Sequence, residues 1–386
     1  MKKVIIVNNN LNTGGIQISL TNLIKEIASI YDITLLLFYA DEQYLEFIPK
    51  NIKVITIQSP FKYLGLSLEE TKTSLGTFFG KTFWGVITKA FGRSFAIRLM
   101  SCFQPRVQGY DCAISYLHEG PQKSFYGGCN EFVLRKITAT KKIAWIHCDF
   151  GSCGANNRQS KKIYKGFDTV VACSNGTKEA FLRCMPELKD KCAVVRNCND
   201  YESIRAKAEP AIQYAKEFFN IITVSRLAPE KAIDRMLYAV RRAIELGYPV
   251  MYHIVGDGQE REPLEKLVDT LGIRDSVIFY GNQKNPYPYI ASADLFVLPS
   301  YHEAAPMVFD EAASLGVPVL ATKTTSTDEM ILKENAGFVC ENSQDGITQM
   351  LIDILNNPQS LKQISEGLTK RHFTNQMSIE TVKELF

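Results

Sequence analysis

Short runs of apolar, mostly β-branched residues alternate along the chain with longer segments in which apolar residues recur every three to four positions, the pattern of strands alternating with helices. In the first half the runs predict strands at 3–7, 33–38, 53–57, 112–115, 142–146, 169–173 and 193–195. In the second half they predict strands at 221–225, 251–255, 277–280, 295–298 and 317–321. Such alternation predicts an α/β protein whose parallel sheets are covered by helices on both faces. Each half has enough strands for its own doubly wound sheet. The polar, alanine-rich stretch 200–218, with Pro210 inside it, reads as the hinge. The expected organisation is an N-terminal domain at 1–205, a C-terminal domain at 206–365 and a helical segment at 366–386 that packs back toward the first domain. Sheets of this kind bind ligands beyond the carboxyl ends of their strands, so a cleft between two of them is the expected active site.

Composition narrows the class. The chain has 386 residues, 46% hydrophobic and 22% charged, as in ordinary globular proteins, and its length suits two domains. Its 44 basic and 41 acidic side chains leave a net charge of +3, which argues against a dedicated nucleic-acid binder. That sum conceals a split: residues 1–200 carry 26 basic and 16 acidic side chains, the remainder 18 and 25. Ten cysteines without a Cys-x-x-Cys pair suit a reduced, cytoplasmic compartment. The apolar run behind Met1-Lys2-Lys3 is too short for a signal peptide, and the longest apolar stretch, 33–40, is too short to cross a bilayer, so the expected protein is neither exported nor integral.

One segment breaks the βα pattern. Residues 61–107 carry seven basic residues against Glu69 and Glu70, interleaved with aromatics such as Phe78, Phe79, Phe83 and Trp84. Basic residues beside aromatic ones suit a helix lying on an anionic membrane surface; a helical insertion packed on the first sheet is the competing reading.

Candidate chemistry clusters at predicted strand ends. After the 295–298 strand comes Tyr301-His302-Glu303-Ala304-Ala305-Pro306-Met307-Val308-Phe309-Asp310-Glu311-Ala312. Glu303 lies in a loop and Glu311 follows on the first turns of a helix, so the two carboxylates can share a ligand while the helix N-terminus offers free amides to an anion. A loop acid and a helix-dipole glutamate would look the same. Ser225-Arg226-Leu227-Ala228-Pro229-Glu230-Lys231 also follows a strand; a guanidinium and an ammonium there can hold the two phosphates of a leaving group, or stay solvated. Asn12-Thr13-Gly14-Gly15-Ile16-Gln17 opens a helix after the first strand, and paired glycines let backbone approach a phosphate or sugar. The stretch lacks the Gly-x-Gly-x-x-Gly fingerprint, which weakens an oxidoreductase reading. Gly256-Asp257-Gly258 marks a turn, and Trp145-Ile146-His147-Cys148-Asp149 ends a strand with a histidine that could face the cleft or be structural.

Taken in order, these motifs, with Ala293-Asp294-Leu295-Phe296-Val297-Leu298-Pro299-Ser300 and Leu315-Gly316-Val317-Pro318-Val319 among them, resemble the retaining GT-B glycosyltransferases of family 4, including those of capsular and surface polysaccharides. The resemblance is dense over 221–322 and sparser across 1–199. It implies two doubly wound, Rossmann-like domains facing each other across a cleft. It also implies that Arg226 and Lys231 bind the nucleotide diphosphate, Glu311 the ribose, Glu303 the donor-sugar hydroxyls and Asn282 the base. Backbone amides around Pro306 to Val308, those of Met307 and Val308 among them, would cradle phosphate and sugar, Gly14 and Gly15 would lie under the diphosphate, and His147 would contact the transferred sugar.

The activity so implied is retaining transfer of a sugar from a nucleotide-diphosphate donor, a UDP-sugar foremost, to a hydroxyl of a glycan or lipid-linked glycan precursor. The acceptor attacks on the face from which the diphosphate departs. With no Asp-x-Asp in the sequence, protein cations rather than a metal would balance the leaving charge, and no cofactor is expected. The first half's basic charge suits an acceptor at the inner face of the cell membrane. Ala304 and Ala232 stand where the family commonly has glycine, and Gln17 where it often has an acid. A sugar-nucleotide epimerase of the same architecture and a non-catalytic nucleotide-sugar-binding protein remain the alternatives.

Overall fold

The computed structural model describes residues 1–12, 14–57, 60–72 and 74–386, with the side chains of Leu68 and Glu69 excepted. Thr13 of the paired-glycine stretch lies outside them. The chain divides into two units, Met1–Cys198 with Asn375–Phe386, and Asn199–Thr374. The division therefore falls after Cys198 rather than after residue 205, and the return to the first unit comes at Asn375 rather than at 366.

The first unit is built on β1 (Lys3–Asn8), β2 (Asp32–Leu37), β3 (Lys53–Thr56), β4 (Val107–Ser115), β5 (Ile137–Ile146), β6 (Thr169–Ala172) and β7 (Cys192–Val194). They form one sheet in the order β3-β2-β1-β4-β5-β6-β7, parallel throughout. Along β1, Val4 and Ile6 join the core on one face while Ile5 and Val7 join the core on the other. That double burial is why the strand reads as an unbroken apolar run. The helix Gln376–Leu385 closes this unit: Val382 is buried, Phe386 packs on Tyr31 with ring centroids 5.3 Å apart, and Lys2 Nζ donates to the Phe386 carbonyl at 2.8 Å.

The second unit contains β8 (Phe219–Val224), β9 (Val250–Val255), β10 (Val277–Gly281), β11 (Leu295–Leu298), β12 (Val319–Thr322) and β13 (Gly337–Cys340). Their order is β10-β9-β8-β11-β12-β13, again parallel. Ile221 and Ile222 of β8 serve opposite cores. The supposed hinge at 200–218 instead begins with a helix, Tyr201–Lys207, that belongs to this unit; it buries Ile204, and Tyr201 packs on Phe373 with ring centroids 5.6 Å apart.

Candidate functional site

In the second sheet the chain reverses its direction of winding between β8 and β11, because β8 leads on to β9 on one side and β11 to β12 on the other. At such a switch point the loops leaving the two strands diverge and open a crevice at their carboxyl ends. The loop after β8 carries Arg226 and, in the 3-10 turn Pro229–Lys231, Lys231; the loop after β11 carries Ser300 and Glu303. Tyr301 N–H donates to the Glu230 carbonyl at 2.9 Å and ties the loops together. Across them Lys231 Nζ lies 2.5 Å from Glu303 Oε1, which also accepts from Ser300 Oγ at 2.7 Å. The Lys231 and Glu303 side chains are only 18% and 12% exposed, so their attraction is weakly screened by solvent. Arg226 is not brought to them: its side chain is 76% exposed and meets Glu230 at 2.8 Å. Ser300 was not singled out in the sequence; a hydroxyl three residues before an acid carries no signal until the loop is folded.

The Gly-Asp-Gly turn shapes this loop. Leu227 N–H donates to the Asp257 carbonyl at 2.9 Å and Glu260 N–H to the Leu227 carbonyl at 3.0 Å. A Cβ on Gly256 would stand 1.8 Å from the Ser225 carbonyl oxygen, and one on Gly258 2.3 Å from that of Leu227. The glycines let the turn lie flat against the backbone that presents Arg226 and leads to Lys231. Just beyond, Ala232 holds φ 50° at the start of the helix Ile233–Glu245, a left-handed conformation that a Cβ disfavours. A glycine would enter it freely, which gives a physical reason for the glycine that the resemblance leads one to expect at this position.

Glu311 sits in the helix Met307–Ser314, whose cap is Pro306 and whose first-turn amides at Met307 and Val308 lie before any intrahelical partner. The Glu311 carboxyl is buried, and burial, reinforced by Asp310, pushes its pKa up from 4.5 to about 7. Glu303 and Glu311 thus have different surroundings: one is paired with a lysine, the other desolvated beside Tyr287, whose own pKa Glu311 helps to raise. Asn282, directly after β10, is exposed.

Because the folded pKa of Glu311 exceeds its ordinary value, the folded unit holds a proton that the unfolded chain has released. Stability from this group is greatest below pH 4.5, falls by about 3 kcal/mol as pH rises to about 7 and is flat above. Urea unfolding at pH values spanning that window should show this fall in the parent and its loss in Glu311→Gln; equal slopes would refute it.

In the first unit the switch lies between β1 and β4. Gly14 caps the helix Gly15–Ile27 after β1, and a Cβ on Gly15 would meet nothing within 4 Å. One turn on, Ser19 Oγ lies 2.8 Å from Tyr116 Oη, and the Tyr116 ring packs on His147 with centroids 4.6 Å apart. This chain of contacts brings the glycine helix and His147, just past β5, to one end of the sheet. Gln17, where the resemblance suggested an acid, donates from Nε2 to Asn10 Oδ1 at 3.2 Å.

His147 is held neutral: burial first, then neighbouring His118, depresses its pKa to about 3. It hydrogen-bonds the Tyr116 backbone, while its buried Nε2 has no hydrogen-bond partner among the described residues. His118 is depressed to about 4 by burial and by Arg93, which forms a buried ion pair with Glu119. His118, in the loop after β4, escaped the sequence reading because its position near His147 arises only from the β4–β5 pairing, and Glu119 because its buried pair with Arg93 does not show until the chain is folded. Among the described residues no group of three or more His, Cys, Asp or Glu is placed to hold a metal ion.

Residues 205–371 match the family model of the glycosyl transferases group 1. The lipopolysaccharide core biosynthesis glycosyltransferase LpsD of Rhizobium meliloti is 29% identical over 42% of this chain and 46% of its own length. The lipopolysaccharide glucosyltransferase WaaG of Escherichia coli is 29% identical over 40% and 41%. The chain thus spans less than half the length of these relatives. The solved structure of Anabaena HepE in complex with UDP and glucose superposes with a TM-score of 0.68 at 17% identity, covering 100% of this chain and 99% of HepE. The solved WaaG structure gives 0.62 at 16% identity, with 99% of both chains covered. The fold is accordingly GT-B, with two Rossmann-like parallel-sheet domains.

Proposed function

We propose that the protein is a retaining glycosyltransferase that moves a sugar from a UDP-sugar to a hydroxyl of a glycan or lipid-linked glycan precursor, acting on the cytoplasmic side of the membrane. The observation that carries the proposal is the Lys231–Glu303 pair at the switch point of the unit whose sequence matches the group 1 family. The diphosphate takes up the Lys231 ammonium, joined by Arg226 swinging in from solvent. Glu303 then accepts hydrogen bonds from the donor-sugar hydroxyls, Glu311 holds the ribose, Asn282 the base, and the backbone amides of Met307 and Val308, just after Pro306, line the phosphates. In the first unit, Gly14, Gly15 and the neutral His147 are the further donor-binding residues of this proposal.

As the bond from the anomeric carbon to the diphosphate breaks, positive groups fixed in advance stabilise the charge that develops on the leaving oxygen. The acceptor oxygen bonds to the same face, and its proton passes to the departing phosphate, so the reaction balances without an enzyme base, a metal or a cofactor. The UDP and glucose held by HepE support UDP-glucose as the first donor to test. Nucleotide sugars should be screened for thermal stabilisation, and the product made with the best donor analysed by NMR. Glycoside of unchanged anomeric configuration, formed equally in EDTA, is expected. Inverted product refutes retention, an EDTA-sensitive rate refutes metal independence, and epimerised donor without glycoside makes the protein an epimerase.

A further inference from the structure

The segment 61–107 separates into a buried and an exposed set of side chains. Phe61 and Trp84 belong to the core of the first unit. The helices Leu75–Phe91 and Arg93–Cys102 lie over that core, and the first buries Trp84 and Thr88. On the opposite side of the same helix stand Leu75, Phe78, Phe79, Phe83 and Val86, all exposed, within an arc of about 140° at the helical 100° per residue. Phe79 is 65% and Phe83 58% exposed. The second helix continues the surface with Phe95, Leu99 and, directly after it, Phe103, and Phe91 touches Phe95 with ring centroids 5.2 Å apart. A face with apolar residues at helical spacing normally points inward; here two such faces are opposed on one helix and only one is covered.

The charges around this surface have one sign. Between Glu70 and Asp111 the sequence has no acidic residue and six basic ones. Arg93 is spent on its buried pair with Glu119, and Lys81 donates to the carbonyls of Leu66 and Ser67. Lys72, Lys89, Arg98 and Arg106 are exposed and, among the described residues, have no ion-pair partner.

We infer that this surface lies on an anionic lipid bilayer, with the phenylalanines entering the headgroup boundary and the four cations meeting lipid phosphates. Apolar side chains at one level and unpaired cations around them are the two requirements of interfacial binding, and each basic residue at an anionic surface contributes about 5-fold. Self-association through the same face is disfavoured, since a two-fold contact would set this cationic rim against its copy with no acid to answer it. No helix among the described residues is long and apolar enough to cross a membrane. The inference goes beyond the proposed transfer reaction and is tested without it.

Full-length protein should be sedimented with vesicles of phosphatidylcholine containing phosphatidylglycerol and with phosphatidylcholine alone. Binding about tenfold or more in favour of the anionic vesicles is expected. It should be lost in Phe79→Ser/Phe83→Ser and weakened, with its salt dependence, in Lys89→Glu/Arg98→Glu. Because a serine pair could disturb packing, Phe79→Trp supplies a second readout: its emission should shift to the blue with anionic vesicles. Equal partitioning into the supernatant with both vesicles, or no shift, overturns the inference. So does a lipid-free dimer that the serine variant dissolves, which would make the occupant a second copy of the chain.

Discussion

Lys231→Ala is expected to lower turnover by about 10²–10³-fold at saturating donor while leaving the protein folded, the range observed when one preorganised electrostatic stabiliser is removed from an active site. Two consequences combine. On the proposed reaction the diphosphate loses the Lys231 ammonium, and Glu303, only 12% exposed, loses its ion-pair partner and keeps, among the described residues, the Ser300 hydroxyl. An uncompensated carboxylate there would repel the donor phosphates as well as fail to help them leave. Glu303→Gln retains a hydrogen-bonding side chain, removes the repulsion and leaves Lys231 free for phosphate; it should reduce turnover more than it reduces affinity for free UDP. Steady-state rates and UDP titrations on the two variants separate these effects. Full turnover of Lys231→Ala under saturating donor would sink the assignment of Lys231 to the leaving group.

Arg226→Ala provides a graded comparison. Its guanidinium pairs with Glu230 in solvent, an arrangement worth little to stability, so its removal should leave the unfolding midpoint unchanged. A loss of turnover at an unchanged unfolding midpoint is the result expected if, as proposed, Arg226 moves toward phosphate when the donor binds.

The apolar runs of β1, β2, β8, β9 and β11 were legible because both faces of those strands are buried and little but aliphatic residues can occupy them. The structure starts β4 at Val107 and β5 at Ile137, each five residues before the run that predicted it. Those leading strand residues, Val107 to Asp111 and Ile137 to Lys141, are with the exception of Ile137 exposed or half-buried and largely polar, so they form no apolar run. The four-residue β13, Gly337–Cys340, was missed because its partial burial leaves an apolar run too short to separate from a loop. In the site, the charged residues and glycines could be located by their positions at strand ends. Their partners could not: that Lys231 meets Glu303 and Arg226 does not depends on the path of a single 3-10 turn. Likewise His147 stood out as a lone histidine, but its neutrality comes from burial and then from His118, both products of sheet order.

Gly256→Ala should destabilise the second unit by about 2–6 kcal/mol, combining the ordinary costs of overpacking and of backbone strain. The added Cβ would stand 1.8 Å from the Ser225 carbonyl oxygen and 3.0 Å from its carbon, and these are backbone atoms of a sheet-end loop that cannot rotate away. Gly256 also has φ 134°, where a side chain is disfavoured. Gly247→Ala separates the two costs, because Gly247 has φ 87° with nothing within 4 Å of its Cβ position and so incurs strain alone. Thermal unfolding should therefore rank the parent above Gly247→Ala and both well above Gly256→Ala. At about 2–4 °C per kcal/mol for a unit of this size, the Gly256 variant should melt roughly 5–20 °C below the parent. Equal melting of the two alanine variants would mean that the loop yields to the methyl group, and that the turn does not hold the backbone from Ser225 to Lys231 in place. If the loop is rigid, Gly256→Ala lowers UDP affinity too, since the ammonium of Lys231 can be no better placed than the backbone that carries it.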